Sequence, residues 1–353
     1  MYTKLNKIKT YEGGKSNISG KKNVIKLSSN ESPFGPSTRV LKVINSISKK
    51  TNRYPTADCS ELKKNIYKKF KIPIKNLFCG NGSDEILGLL CQLFLAKGDE
   101  VIIPRHSFLM YEIYASINDS KIIYSNVNDY AFLVDDIIKK ISKKTKIIFI
   151  AQPNNPTGIY LDKNDLNKLI NKVPKRIMIV IDAAYSEFIN KADYTDGLRL
   201  MKRHNNIIVT HTFSKIYGLA SLRLGWCAAS EKIISLLDKI RGPFNVNQIA
   251  QAAGSEALND INYEKKVVKH NSIWLNKFKT ELSKLPIKVY DSQANFIFIK
   301  VNDAKTLNKY LLSNGVIIRT LENYDIVNCL RISIGTTPEN KKFLDLMKKF
   351  YKL

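Results

Sequence analysis

Histidine and cysteine are both scarce in this 353-residue chain, four and five residues respectively, and neither is spaced as a metal site requires. The histidines stand at 106, 204, 211 and 270, and the cysteines at 59, 79, 91, 227 and 329 include no CxxC pair. An odd, dispersed set of thiols argues against a disulfide framework and for a reducing compartment. Long apolar runs are missing too: stretches such as Ile177–Ile181 fall far short of a bilayer span, and the opening MYTKLNKIKT lacks the apolar core of a secretion signal. These absences predict a cytoplasmic protein with no membrane partner and no structural metal. Arginine is also rare, only ten of 57 basic residues, in a chain crowded with Lys, Ile and Asn, so the formal charge of +26 reads as compositional drift toward lysine. No basic arm or Gly/Arg-rich tail concentrates that charge. It serves solubility and the attraction of small anions, not a nucleic-acid surface.

What is present is a long alternation. From about residue 78 to 240, short apolar runs alternate with amphipathic stretches of helical length, the pattern of an α/β protein with a largely parallel sheet flanked by helices. Strands are expected at Leu77–Cys79, Val101–Ile103, Lys121–Tyr124, Ile147–Ala151, Ile177–Ile181 and Ile207–Thr210. Their consecutive apolar residues suit burial on both faces. A long helical stretch over about Asn247–Leu285 follows, then runs at Ile287–Tyr290, Phe296–Val301, Val316–Arg319 and Leu330–Ile334, with a helix near Ala304–Asn314 and another at the end. This order predicts a smaller α+β domain. The division expected is an N-terminal arm or small-domain segment over 1–35, a large domain over 36–245 and a small domain over 246–353.

In an open α/β sheet the ligand sits beyond the carboxyl ends of the strands, so the residues just after each run carry the chemistry. After Leu77–Cys79 comes Gly80-Asn81-Gly82-Ser83-Asp84-Glu85 and an apolar helix, a loop-to-helix junction that offers free N–H groups to a phosphate but serves equally well as a plain helix cap. After Ile147–Ala151 comes Gln152-Pro153-Asn154-Asn155-Pro156-Thr157-Gly158. After Ile177–Ile181 comes Asp182-Ala183-Ala184-Tyr185. After Ile207–Thr210 comes His211-Thr212-Phe213-Ser214-Lys215, with Arg223 eight residues beyond the lysine.

Together with Asn30-Glu31-Ser32-Pro33, Arg53-Tyr54-Pro55 and Cys329-Leu330-Arg331-Ile332, these segments, in this order, resemble the fold-type I pyridoxal-phosphate-dependent transferases. Among them the chain is similar to the histidinol-phosphate aminotransferases, from Tyr11 to about Thr336. The resemblance implies pyridoxal 5′-phosphate as cofactor, with Lys215 attaching it covalently and later moving a proton between substrate and cofactor. It implies that Asp182 faces the ring nitrogen, that Asn155 and Tyr185 reach the ring oxygen, and that Phe108 lies on the ring face. Ser83, Asp84, Thr212, Ser214 and Arg223 would surround the phosphate. Tyr54 would reach the phosphate of a neighbouring subunit, which implies a homodimer with shared active sites. Tyr11, Asn30 and Glu31 match a segment that closes over substrate, and Arg319 and Arg331 match the residues for the substrate phosphate and carboxylate. Bidentate geometry is what lysine cannot supply at those two sites.

The reaction so implied converts histidinol phosphate and 2-oxoglutarate to imidazole acetol phosphate and glutamate, a step of histidine biosynthesis between small molecules. An aromatic amino-acid aminotransferase, an aminotransferase for another phosphorylated amine or ketone, and an amino-acid-phosphate decarboxylase use the same scaffold. Three positions depart from the common pattern: Ser221 replaces a Gly, Ala183 replaces a Glu, and Phe108 stands where many relatives carry Tyr. The last removes a hydroxyl near the substrate.

Overall fold

The computed structural model describes residues 8 and 10–352; the expected segment 1–35 therefore lies partly outside the described residues. Seven strands form the main sheet. Across it they run Leu77–Gly80, Gly225–Ala228, Ile207–Thr212, Met178–Asp182, Thr145–Ala151, Glu100–Pro104 and Lys121–Ser125. All neighbours pair parallel except Gly225–Ala228, which is antiparallel to both of its own.

The apolar runs behave as doubly buried strands must. Along Thr145–Ala151, Ile148 and Ile150 enter one core cluster while Ile147, Phe149 and Ala151 enter another on the opposite face. Helices close both faces, so the apolar side chains of the central strands are largely removed from water, while the edge strand Lys121–Ser125 stays partly exposed. Among the described residues, no helix is long and apolar enough to cross a membrane.

A second sheet holds the strands Lys288–Val289, Phe296–Lys300, Cys329–Ser333 and Arg319–Thr320, in that order and all antiparallel. Its core contains Trp274, Phe278, Ile297, Ile299, Leu330 and Phe343, along with Leu27 from near the N-terminus. Ile25–Lys26 pairs parallel with Val316–Ile317, which ties the early chain to this layer.

Two elements differ from expectation. The single helical stretch over 247–285 is two helices, Gln248–Asn259 and Ile261–Leu282, because the Asp260 side chain accepts from the Tyr263 amide and starts a new helix. The single strand over 316–319 is split between two sheets, with Val316–Ile317 in one and Arg319–Thr320 in the other.

The antiparallel strand Gly225–Ala228 reads as nothing special in sequence, yet it brings the chain against the Gly82–Phe94 helix start. A Cβ on Gly225 would lie 2.3 Å from the Ser83 nitrogen and 2.6 Å from the Gly82 carbonyl carbon, both backbone atoms that cannot swing aside. Gly225→Ala is therefore expected to destabilise the protein by about 1–3 kcal/mol, measured as a fall in the urea midpoint at constant slope.

Candidate active site

The carboxyl ends of the main sheet and one face of the second sheet enclose a cavity of about 260 Å³. Every site residue expected from sequence lines it except Tyr54. Tyr54 is 81% exposed and stacks on Phe244 at 4.6 Å, away from its own chain's cavity.

On the floor, Asp182 ends its strand beside Thr210 of the next strand, to which it is paired in register. Its two carboxylate oxygens accept from the Tyr111 hydroxyl at 2.8 Å and the Thr210 hydroxyl at 3.1 Å. Burial pushes the Asp182 carboxyl up, and these two donors pull it back. A carboxylate has about four acceptor positions, so capacity remains for a cationic N–H from the cavity. Tyr111 is a site residue that motif reading missed. It stacks flat on Phe149 at 4.6 Å and meets Phe108 edge-on at 5.6 Å, so one short helix start sets the aromatic wall and anchors the buried acid.

At one end, the helix Gly82–Phe94 points its N-terminus into the cavity with Asp84 and Glu85 in its first turn, where acids are favoured. Glu85 accepts from the Asn81 amide at 2.6 Å and from the Asn245 side chain at 2.7 Å, fixing the loop. Arg223, at φ 55°, donates to Asp84 at 2.9 Å and to the Ala220 carbonyl at 3.0 Å. Gly82, at φ +81°, has its Cα hydrogen toward the Arg223 guanidinium, and a Cβ there would come within 2.6 Å of Nη2. Thr212 Oγ1 accepts from the Ser214 amide at 3.1 Å, which shapes the turn that delivers Lys215.

The Lys215 amine donates to the Ser29 carbonyl at 3.3 Å and lies over the Tyr185 ring. Burial, reinforced by the Arg331 cation, lowers it to about 8. Above it, Asn30 at φ 55° donates to the Tyr185 hydroxyl at 3.0 Å. Asn30 is itself fixed by the second sheet: its amide donates to Ser333 Oγ at 2.8 Å, Ser333 donates back to Asn30 Oδ1, and Asn295 donates to its carbonyl at 2.9 Å. Glu31 accepts from Lys26 at 2.8 Å. Of the paired asparagines, Asn154 is structural, donating to the His106 carbonyl and Thr157, whereas Asn155 faces the cavity and accepts from Arg331.

The second sheet supplies two arginines that are direct cross-strand neighbours, Arg319 opposite Arg331. Both are largely buried, at 9% and 5% exposure. Arg319 donates to the carbonyls of Glu12 at 2.7 Å and Gly13 at 2.8 Å, and Arg331 to the Ser28 carbonyl at 2.7 Å. Tyr11, from the same N-terminal segment, meets Phe108 edge-on at 6.4 Å. Tyr324, also missed in sequence, completes this wall.

The donor set fits a phosphorylated pyridine aldehyde. It combines a low-pKa amine, a buried carboxylate with acceptor capacity, an aromatic face and a helix N-terminus beside an arginine. The chain belongs to the class I and II aminotransferase family, whose model matches residues 22–346, and is thus a pyridoxal-phosphate-dependent transaminase. Its relatives include the histidinol-phosphate aminotransferases of Pelagibacter ubique, 45% identical over 98% of this chain and 97% of the relative, and of Paramagnetospirillum magneticum, 38% identical over 97% and 96%. A solved histidinol-phosphate aminotransferase from Sinorhizobium meliloti, in complex with pyridoxal-5′-phosphate, superimposes with TM-score 0.88 at 23% identity, covering 94% of this chain and 92% of that one.

Two outcomes are expected from this geometry. Tyr111→Phe removes one donor that favours the ionised Asp182, so cofactor affinity should fall about tenfold, for a charge-assisted bond of about 1.5 kcal/mol, measured by equilibrium dialysis. In cofactor-free protein, the rate at which an amine-reactive aldehyde modifies Lys215 should rise with pH through about 8, where this amine loses its proton, whereas an ordinary lysine would climb near 10.5. Arg331→Gln should move that midpoint upward.

Proposed function

We propose that this enzyme transfers the amino group of histidinol phosphate to 2-oxoglutarate, yielding imidazole acetol phosphate and glutamate in histidine biosynthesis. The observation that carries the reading is the Arg319–Arg331 pair. Two like charges directly opposite on adjacent strands repel, and burial sharpens the cost. Such a pair is worth keeping where anionic groups arrive to neutralise it. The full-length relatives of that name support the same substrate.

In this reading pyridoxal phosphate supplies an electron sink that stabilises negative charge at the substrate Cα. The chain supplies the rest. Asp182 would face the ring nitrogen and favour its protonated form, with Tyr111 and Thr210 holding the carboxylate. Asn155 and Tyr185 would address the ring oxygen, and Phe108 would cover the ring face. Ser83, Asp84, Thr212, Ser214 and Arg223 would hold the phosphate end. Lys215, its pKa lowered to about 8, would serve as the base that moves the substrate Cα proton. Arg331 clamps the glutamate α-carboxylate in a bidentate fork, and Arg319 takes the substrate phosphate or the distal carboxylate. Tyr11, Asn30 and Glu31 close the entrance. The division of labour follows the expected large and small domains meeting near residue 245, in a cytoplasmic homodimer whose exposed Tyr54 serves the neighbouring site.

Lys215→Ala should abolish turnover in folded protein. Arg331→Lys should slow the glutamate half-reaction by a factor of tens to hundreds, or about 2–4 kcal/mol, and the histidinol-phosphate half-reaction far less, whereas Arg319→Lys should slow both. Single-turnover absorbance separates the halves, and equal slowing by Arg331→Lys would refute the assignment. For the dimer, mixing Lys215→Ala with an impaired Tyr54→Ala protein leaves each heterodimer one intact site. Activity should therefore recover on subunit exchange; no recovery would mean that Tyr54 serves its own subunit.

A further inference from the structure

The strand Lys121–Ser125 of the main sheet leads into a small hairpin, Val127–Asn128 with Ala131–Phe132. Its two turn residues, Asp129 and Tyr130, both have positive φ, 46° and 70°. That turn type normally takes Asn-Gly. A tyrosine in the left-handed region costs about 1–2 kcal/mol and persists only where its surroundings over-determine it.

Those surroundings are the second sheet. The Tyr130 ring stands edge-on to Phe298 at 4.9 Å and to Tyr290 at 5.3 Å, and its hydroxyl lies 3.6 Å from Cys329 Sγ. Asp129 accepts from Lys288 at 2.7 Å and from the Tyr290 hydroxyl at 3.1 Å. On its other side Tyr130 meets His106 at 5.6 Å, a residue also at positive φ, whose Nδ1 lies 2.8 Å from the Tyr324 carbonyl. His106 is in turn held to the main sheet's loop by Asn154.

The register shows what this contact governs. Phe298 is the direct cross-strand partner of Arg331, and Arg331 of Arg319, so the three share one face; Cys329, two residues before Arg331 on the same strand, shares it too. The hairpin tip therefore seats on the same row that carries the two arginines.

We propose that Asp129-Tyr130 is a clasp that sets the height and tilt of the second sheet over the main one, and so positions Arg319 and Arg331 relative to Lys215. Tyr130 is a positioning residue, acting through Phe298 and, by way of His106, on Tyr324, and touches no reacting group. The inference rests on the reading of the two arginines as seats for substrate anions. A displacement of about 1 Å in such a seat weakens binding without touching the cofactor.

The test compares Tyr130→Ala with Tyr130→Phe in holoenzyme, using whichever amino donor the unaltered enzyme turns over, together with 2-oxoglutarate. Tyr130→Ala should raise KM for both substrates about tenfold, with kcat changed less than about threefold and cofactor affinity unchanged, the pattern of lost uniform binding. Tyr130→Phe keeps the ring and should restore KM to within about twofold. Unchanged KM in Tyr130→Ala, or a parallel loss of cofactor affinity, would overturn the clasp. If Tyr130→Ala does not fold, Lys288→Gln with Tyr290→Phe removes the Asp129 contacts from the other side and should raise KM about two- to threefold; no rise would overturn it equally. Failure of the unaltered enzyme to accept histidinol phosphate would count against the substrate assignment and leave the variant ratios readable.

Discussion

An amine that must give up its proton more readily than an ordinary lysine is brought to that state by partial withdrawal from water and by neighbouring cations, and the rest of the molecule follows from that requirement. Loss of solvent lowers the Lys215 pKa most, with Arg331 and Arg223 adding to it and Asp84 and Glu31 opposing them. Concentrating positive charge in one cavity is unfavourable unless each cation has neutral acceptors at rest and anionic ones in use. The chain meets the first condition with backbone carbonyls for three of the cations: Ser29 for Lys215, Ser28 for Arg331, Glu12 and Gly13 for Arg319; Arg223 is the exception, paired with the Asp84 carboxylate as well as the Ala220 carbonyl. Carbonyls satisfy hydrogen bonds without cancelling charge, so the field stays available to a phosphate or carboxylate.

Supplying those carbonyls dictates the architecture. The main sheet alone delivers the acid, the amine and the helix N-terminus, all from strand ends on one edge. The arginines must approach from the opposite side, and the four-stranded sheet holds them there, with Asn30 spanning the seam between Ser333 and Tyr185. The N-terminal segment is thereby a structural part of the cavity and not an appendage to it.

The alternation of apolar runs with amphipathic helical stretches made the main sheet legible, because doubly buried strands need consecutive apolar residues such as Ile and Val. Strand-end residues likewise named most of the cavity lining in advance. Gly225–Ala228 stayed hidden: four residues carry no period, and its insertion against the parallel order is a matter of topology. Tyr111 and Thr210 were missed because their contact with Asp182 comes from a helix start and a strand register that no local motif encodes. The facing of Arg319 and Arg331 depends on the register of an antiparallel pair, and Asp129-Tyr130 lacks the glycine that ordinarily marks a tight hairpin turn.

The seam at Asn30 also bears on how the protein is made. Asn30 and Ser28 owe their bonds to Ser333 and Arg331, each 303 positions later in the chain. A growing polypeptide can begin to lay down the parallel strands as they emerge, but the bonds from Asn30 and Ser28 to the second sheet wait for residues 303 positions further on. A product that stopped before that sheet would carry Lys215 without the Arg331 cation that helps to lower its proton affinity.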